Sequence, residues 1–472
     1  MPTTWRSRRG VLWLVLAFVL SLPAVTPRIY ASDEVQYFAY LRSLWFDGDV
    51  SFENEYRWFY DAGIARSQNF HETFLERTTE TGRRINFATL GCAILWAPFY
   101  GVADLAVRGG LVDAAADGYS APYVRAVAYA SALYGMLALL LGIAAAGQIA
   151  AAWPAISDRA PLAAALVWVG TPLLFYMYVA PPMSHATSAF AVALFIVVWL
   201  RVRATWSAGG LALLGVSAAL MAMVREQDAF FVAGPAIDFL RTQFTTRRDA
   251  AWARRWGHAL VGAAAAALAF LPQATAYLAL NGRMGPSRLV ARKMTWTAPH
   301  AADVLASPSH GLFWWTPLAL VALAGLVVLW RRLPREHRVV AAALALMAAL
   351  QVYVAGSVES WTVAGAFGQR RFVALTAVLV IGLSAALAET ARRRAARVGL
   401  AAALALACWW NVALVAQFGA GMMNRQRLEL AGIAYNTFVV MPRALPELTW
   451  RYLFDRASFY EATRRLRDAQ AQ

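Results

Sequence analysis

Residues 10–49 read GVLWLVLAFVLSLPAVTPRIYASDEVQYFAYLRSLWFDGD. The first half is an almost purely apolar run and the second opens on an acidic pair. A bilayer core of about 30 Å takes about 20 mostly apolar residues, and the run over 10–26 comes close to that, preceded by Arg6, Arg8 and Arg9. A short, Arg-flanked apolar run also fits a cleaved signal peptide. No small-x-small cleavage site follows it, however, and Pro23, Pro27 and Arg28 suit one poorly, so a retained first span is expected. Beyond it Val35, Phe38, Leu41 and Trp45 recur at spacings near three and four, which predicts an amphipathic helix over 35–46. Asp47-Gly48-Asp49 is the stop.

Working outward, the whole chain repeats the apolar theme. Its 472 residues are 60% hydrophobic and 15% charged, with mean hydropathy +0.49. Soluble chains run at about 45–50% apolar and about 25% charged. The expected fold class is therefore all-α, a polytopic transmembrane bundle of about 11 spans with room for 12–13. The candidate spans are 10–26, 122–147, 161–180, 184–200, 208–224, 229–240, 259–280, 311–330, 339–356, 372–390 and 398–417, of which 229–240 is short and is expected to extend at both ends. The net charge is +16 and Lys293 is the one lysine. The arginines cluster between spans, at Arg6/Arg8/Arg9, Arg201/Arg203, Arg247/Arg248/Arg254/Arg255, Arg331/Arg332/Arg335/Arg338 and Arg392/Arg393/Arg394/Arg397. With a cytoplasmic N-terminus every cluster falls inside, as the positive-inside rule requires. This distribution argues against nucleic acid as the partner. Two cysteines and six histidines show no disulfide framework and no paired metal spacing.

That topology leaves residues 27–121 as one large outer loop, and the chain reads as a membrane domain over 1–417 with an extracytoplasmic tail over 418–472. Residues 86–107 are apolar enough to span, but Pro98 interrupts them, and a crossing there would turn every later arginine cluster outward. The stretch is expected to lie in the interface.

Several residues are candidates for chemistry. Asp33 and Glu34 sit just after the first span. Ser32 or Asp33 is suited to cap the following helix, with Glu34 favouring its dipole. A carboxylate at this depth also suits a general base. Asp47 and Asp49 fit either a solvated turn or a divalent cation, Mg or Mn, bridging phosphates. On the outer side Arg288, Arg292, Lys293, Arg370 and Arg371 stand where arginine should be scarce, with Arg83 and Arg84 as weaker members. Their guanidinium forks match phosphate oxygens, or the head groups of membrane lipids. Arg225-Glu226-Gln227-Asp228 occupies an outer turn, while His185 and His310 each open a span and are candidates for substrate contact.

These pieces together resemble the GT-C membrane glycosyltransferases, in the branch that holds protein O-mannosyltransferases and lipid A aminoarabinose transferases. The resemblance is carried by Ser32-Asp33-Glu34, the run Tyr37 to Leu44, Asp47-Gly48-Asp49 and Leu95-Trp96-Ala97-Pro98-Phe99. Thr171-Pro172, Met183-Ser184-His185, His310-Gly311-Leu312-Phe313 and Phe367 to Phe372 add to it. It implies a GT-C-like first outer loop with juxtamembrane helices. It also implies an inverting transfer of a sugar from a polyprenyl-phosphate donor to a lipid, glycan or protein acceptor on the extracytoplasmic face of a bacterial inner membrane. Asp33 would be the base and Glu34 its partner. Arg83, Arg84, Arg292, Lys293, Arg370 and Arg371 would steady the donor phosphate. The prenyl tail would run past Phe313, Trp314 and Trp315. The alternative is a transporter or a flippase for lipid-linked sugars. It is disfavoured because it needs charged residues within the spans and short loops.

Overall fold

The structure, a computed structural model of the chain, describes residues 5–65, 67–246 and 251–461. Arg247 and Arg248 of one expected cytoplasmic cluster lie outside the described residues, as does the end of the tail from 462. Among the described residues there is no strand, only an isolated bridge between Thr78 and Arg84.

Helices underlie every apolar stretch read from the sequence. Six of the described helices are long and apolar enough to cross a membrane: Ala121–Ile149, His185–Val202, Trp252–Asn281, Arg338–Ser357, Arg370–Thr390 and Arg394–Gly419. The protein is an all-α integral membrane protein. The remaining stretches are shorter for local reasons. Pro172 lacks an amide hydrogen and pushes Thr171 into extended backbone, so residues 160–178 form two helices, Ala160–Gly170 and Leu173–Tyr178. The short stretch at 229–240 extends both ways, as expected. A 3-10 segment Glu226–Val232 leads into the helix Ala233–Thr245. At about 2.0 and 1.5 Å rise per residue the two reach roughly 33 Å. Asp238 in its second half is buried and accepts from Arg203 at 2.7 Å and from Trp199 at 3.0 Å.

The helices gather into two compact units. One holds Met1–Ala24, Leu139–Val179 and Thr295–Gln472; the other holds Val25–Ala138 and Ala180–Met294. In each, glycine makes a close helix crossing possible. In the first, a Cβ on Gly325 would stand 1.9 Å from the Gly382 carbonyl oxygen; in the second, one on Gly215 would stand 2.1 Å from that of Gly262. Lipid gives no hydrophobic drive for helix pairing, so close backbone approach of this kind supplies the packing. In the first unit the tail turns back on its own bundle, with the Tyr452 hydroxyl donating to the carbonyls of Ala24 (2.8 Å) and Tyr178 (3.1 Å).

The long loop belongs to the second unit. Its first helix starts at Ser32, three residues before the expected 35, and runs to Arg42. It then widens into a π turn over Ser43–Asp47 that stops at Gly48, left-handed at φ 71°. Val35, Phe38 and Leu41 are buried, as their spacing implied, but Trp45 is 43% exposed. The π turn takes an extra residue per turn and rotates Trp45 off that face, leaving its indole to donate to Asp104 at 3.2 Å.

The apolar stretch at 86–107 forms the helix Gly91–Arg108 straight through Pro98. At its start Thr89 donates to the Val224 carbonyl (2.9 Å), and Cys92 lies 3.3 Å from the Thr187 hydroxyl. At its end Asp104 accepts from Tyr123 at 2.7 Å. The start of the Gly91–Arg108 helix thus packs at the first turn of His185–Val202 and its end at the first turn of Ala121–Ile149.

Candidate active site

The site grows from the first turn of the Ser32–Arg42 helix. Neither Ser32 nor Asp33 is the N-cap. Ala31 holds that position, and Glu34, three residues in, reaches back so that its Oε2 accepts from the amides of Tyr30 (2.8 Å) and Ala31 (3.0 Å). This is half of a capping box, with the acid satisfying orphan amides. Glu34 is fully buried, and burial pushes its carboxyl up to about 8 despite the two amides. Asp33 is left half-exposed in the same turn.

One turn on, Tyr37 joins this helix to two others in the same unit. Its hydroxyl lies within electrostatic range of Ser184, Arg225, Cys92 and Asp33. Ser184 precedes the His185–Val202 helix, while Arg225 leaves the Ala208–Val224 helix in extended backbone. The Arg225 guanidinium donates to His185 Nδ1 at 2.9 Å and to Gln227 Oε1 at 3.0 Å. A guanidinium can only donate, so Nδ1 accepts, and a neutral His185 ring must carry its proton on Nε2. Three residues beyond, Asp228 is buried and accepts from the Ser188 hydroxyl at 2.6 Å, tying this turn to the helix that carries His185. The second unit thus holds a half-exposed carboxylate and an imidazole hydrogen-bonded to a fixed guanidinium.

Of the other expected residues in this unit, Lys293 is exposed and lies 5.3 Å over the Phe87 ring. The Phe87 amide donates to Gln36 Oε1 (2.8 Å), and Gln36 reaches the Ser32 carbonyl at 3.2 Å, so this lysine is held against the same helix. Arg84 pairs with Glu53 and donates to the Glu76 carbonyl at 3.0 Å. Arg83 is half-buried in the same turn, its carbonyl accepting from Thr79 at 2.7 Å. Arg292 is exposed, on a separate wall with Arg283 and Arg288. Asp47 pairs with Arg42 and accepts from Asn54 at 2.8 Å, while Asp49 accepts from Ser43 (2.8 Å) and the Ser51 amide (2.9 Å). Both carboxylates serve the turn, and among the described residues no group of three His, Cys, Asp or Glu is placed to hold a metal ion. Behind them Glu55 is buried against Arg42 at 3.0 Å, and burial raises its carboxyl to about 7.

The first unit gathers the rest. His310 is buried, stacked on Trp315 at 4.9 Å, and its Nε2 donates to the Ala366 carbonyl at 3.1 Å. Burial lowers its pKa to about 4, with Arg370 adding to the effect. Arg371 is buried, and its guanidinium donates to the Ser360 carbonyl (3.1 Å) and hydroxyl (3.2 Å). Arg370 is half-exposed beside it. Phe313 lines an apolar groove of about 500 Å³ together with Leu326, Trp330, Val352 and Phe372.

Sequence reasoning noticed Arg225 but gave it no role. The signal was a polar run between two apolar spans; its partnership with His185, forty residues away, had no local signature.

No family model matches the chain, and no curated protein matches it. Solved structures do match. The crystal structure of ArnT from Cupriavidus metallidurans bound to undecaprenyl phosphate is 14% identical, covering 97% of this chain and 76% of its own, with a TM-score of 0.50. The same protein in the apo state gives 14%, 97%, 76% and 0.48. By the first of these likenesses the chain has the fold of the GT-C membrane glycosyltransferases.

Proposed function

We propose that the protein is an inverting glycosyltransferase that takes a sugar from a polyprenyl-phosphate carrier and passes it to an acceptor on the extracytoplasmic face of a bacterial inner membrane, with its N-terminus in the cytoplasm. The observation that supports this reading is the half-exposed Asp33 carried by the same compact unit as the hydrogen-bonded Arg225–His185 pair.

In the transfer an acceptor hydroxyl or amine attacks the anomeric carbon. The new bond to carbon forms as the bond to the phosphate oxygen breaks, through a transition state of oxocarbenium character. Asp33 is the base that takes the acceptor's proton. The electron pair leaves with the phosphate, where negative charge grows, and Arg225 stands ready to meet it with a preorganised fork. Lys293, on the same helix face through Phe87, adds a second, mobile charge. His185, accepting through Nδ1, holds the Arg225 guanidinium in direction. Glu34, mostly protonated at neutral pH, holds the helix start and leaves the base role to its neighbour. Arg83 and Arg84, in the same unit as Asp33, keep a supporting role toward anionic substrate. The apolar groove at Phe313 suits a prenyl chain, and the related ArnT was crystallised with undecaprenyl phosphate.

The test is native mass spectrometry of the protein from mild detergent, followed by turnover of any polyprenyl-phosphate sugar that co-purifies. Asp33→Asn is expected to retain the lipid and lose transfer, while Arg225→Gln should weaken both. Retention of ordinary phospholipids alone, even with polyprenyl phosphate in excess, would favour the transporter reading instead.

A further inference from the structure

The helix Arg394–Gly419 passes into the tail through Gly421, left-handed at φ 73°. The loop that follows encloses a cavity of about 570 Å³, and none of its lining residues belongs to the groove at Phe313. Met423, Asn424, Gln426, Glu429, Ile433 and Asn436 supply most of its wall. The loop is fastened along its length. The Met422 amide donates to the Gln417 carbonyl (2.9 Å), the Gly365 amide to the Arg425 carbonyl (3.1 Å) and the Leu428 amide to the Pro308 carbonyl (2.9 Å). Asn436 Nδ2 ties the far side to the Met422 carbonyl at 3.4 Å. All of these residues belong to the first unit. The cavity is held open before any ligand arrives, which lowers the ordering cost of binding.

The charges of the lining are engaged with the protein itself. Arg425 lies 4.2 Å over the Phe418 ring and donates to the Phe418 carbonyl at 3.2 Å. Glu429 accepts from Asn424 at 3.3 Å and pairs with Arg427 at 3.6 Å. One guanidinium and one carboxylate line the space, so a phosphate would find no surplus of positive charge. What the wall offers is side-chain amides, on Asn424, Gln426 and Asn436, and each has an oxygen that accepts and an NH2 that donates. Two neighbouring hydroxyls on a sugar ring match that pairing, one donating and the other accepting. Met423 and Ile433, both buried, add an apolar patch suited to the C–H face of a pyranose ring. The volume lies within the roughly 300–1,000 Å³ of small-ligand sites.

We infer that this cavity binds a neutral saccharide, the sugar portion of the acceptor. The acceptor role rests on the glycosyl transfer proposed above, while the binding does not. On the proposed topology the loop lies outside the cytoplasm, where the transfer takes place.

Gly432 gives the means of testing it. It lies in the short helix Leu430–Tyr435 and lines the cavity, and a Cβ there would meet nothing within 4 Å. A leucine at this position fills the space without straining the backbone, and it suits a helix better than glycine. The full chain in phosphatidylcholine nanodiscs is titrated with maltotriose, mannotriose and chitotriose and read by saturation-transfer NMR. At least one of the three is expected to bind. Gly432→Leu should weaken that binding about tenfold by occupying the space, and Gln426→Ala about fivefold through a lost hydrogen bond. Arg392→Gln should leave it unchanged, and excess glycerol 3-phosphate should not compete. Binding of none of the three, binding that ignores both variants, or displacement by glycerol 3-phosphate would overturn the inference. Transfer is then measured on protein loaded with its co-purified donor. Gly432→Leu should raise KM for the saccharide, whereas Asp33→Asn should bind the saccharide and not turn it over. Binding without transfer by the wild type would keep the site and remove its acceptor role together with the glycosyltransferase reading. Transfer at wild-type KM in Gly432→Leu would do the reverse, keeping the enzyme and removing the site.

Discussion

Asp33 sits half-exposed in the first turn of its helix while Glu34 beside it is fully buried, and this difference decides what each can do. Asp33→Asn keeps size and polarity, so the fold should survive while transfer falls by about 10²–10⁴, the range expected for a general base; a turnover assay on the folded variant checks it. Glu34 carries a raised pKa of about 8. The unfolded chain ionises this group near its ordinary value and the folded chain resists, so stability should fall as pH rises from about 4.5 to 8 and level off above. Glu34→Gln mimics the protonated acid and should flatten that slope, which thermal unfolding from pH 5 to 8 will show. Both acids were legible as a pair. Their division of labour was not, because it depends on Glu34 turning back to Tyr30 and Ala31, a choice that the sequence Ser-Asp-Glu leaves open among three capping residues.

At the scale of elements, the apolar spans were readable because composition alone distinguishes them. The departures arise where the backbone changes pitch: the π turn that rotates Trp45 and the break at Pro172. Docking of the Gly91–Arg108 helix hinges on Gly91, where a Cβ would meet the Met223 carbonyl carbon and the Val224 amide nitrogen at 2.4 Å. Gly91→Ala forces that helix off the end of Ala208–Val224, close to Arg225. A loss of about 1–3 kcal/mol is expected from such overpacking, with transfer reduced through displacement of Arg225; melting curves and turnover measured together check both. Gly382→Ala tests the crossing in the other unit, where a Cβ would stand 2.1 Å from the Ala322 carbonyl oxygen. It should lower the melting temperature without changing the pH profile of transfer.

For the whole molecule, the orientation rests on arginine distribution, a property that no single helix displays. Single cysteines introduced at Ser51 and Asp113, in a background without Cys92 and Cys408, should react with an impermeant maleimide on intact cells. Cysteines at Arg335 and Arg393 should react only after permeabilisation. The opposite pattern would invert the molecule and remove Asp33 from the extracytoplasmic face. Arg225 and His185 mark the limit of sequence reading at this scale. Each stood at the edge of a different span, and only the folded chain brings the two edges within a hydrogen bond.

The Gly91–Arg108 helix poses a problem during synthesis. It emerges from the ribosome before Tyr123 exists to bond Asp104, so the insertion machinery must judge it on composition, and most of it is apolar. Pro98 near its middle and Asp104 near its end are the features that speak against insertion, since a buried acid costs about 2.5–3.5 kcal/mol at a helix centre on the insertion scale. Pro98→Leu with Asp104→Leu should let the segment lodge in the membrane in a fraction of molecules. Every later span in those molecules would then enter the opposite way, detectable as a reversed reporter fused after Gly419. On the proposed topology Pro98 and Asp104 thus have a task during translation, keeping this segment out of the membrane, beyond the bonds Asp104 makes in the finished fold.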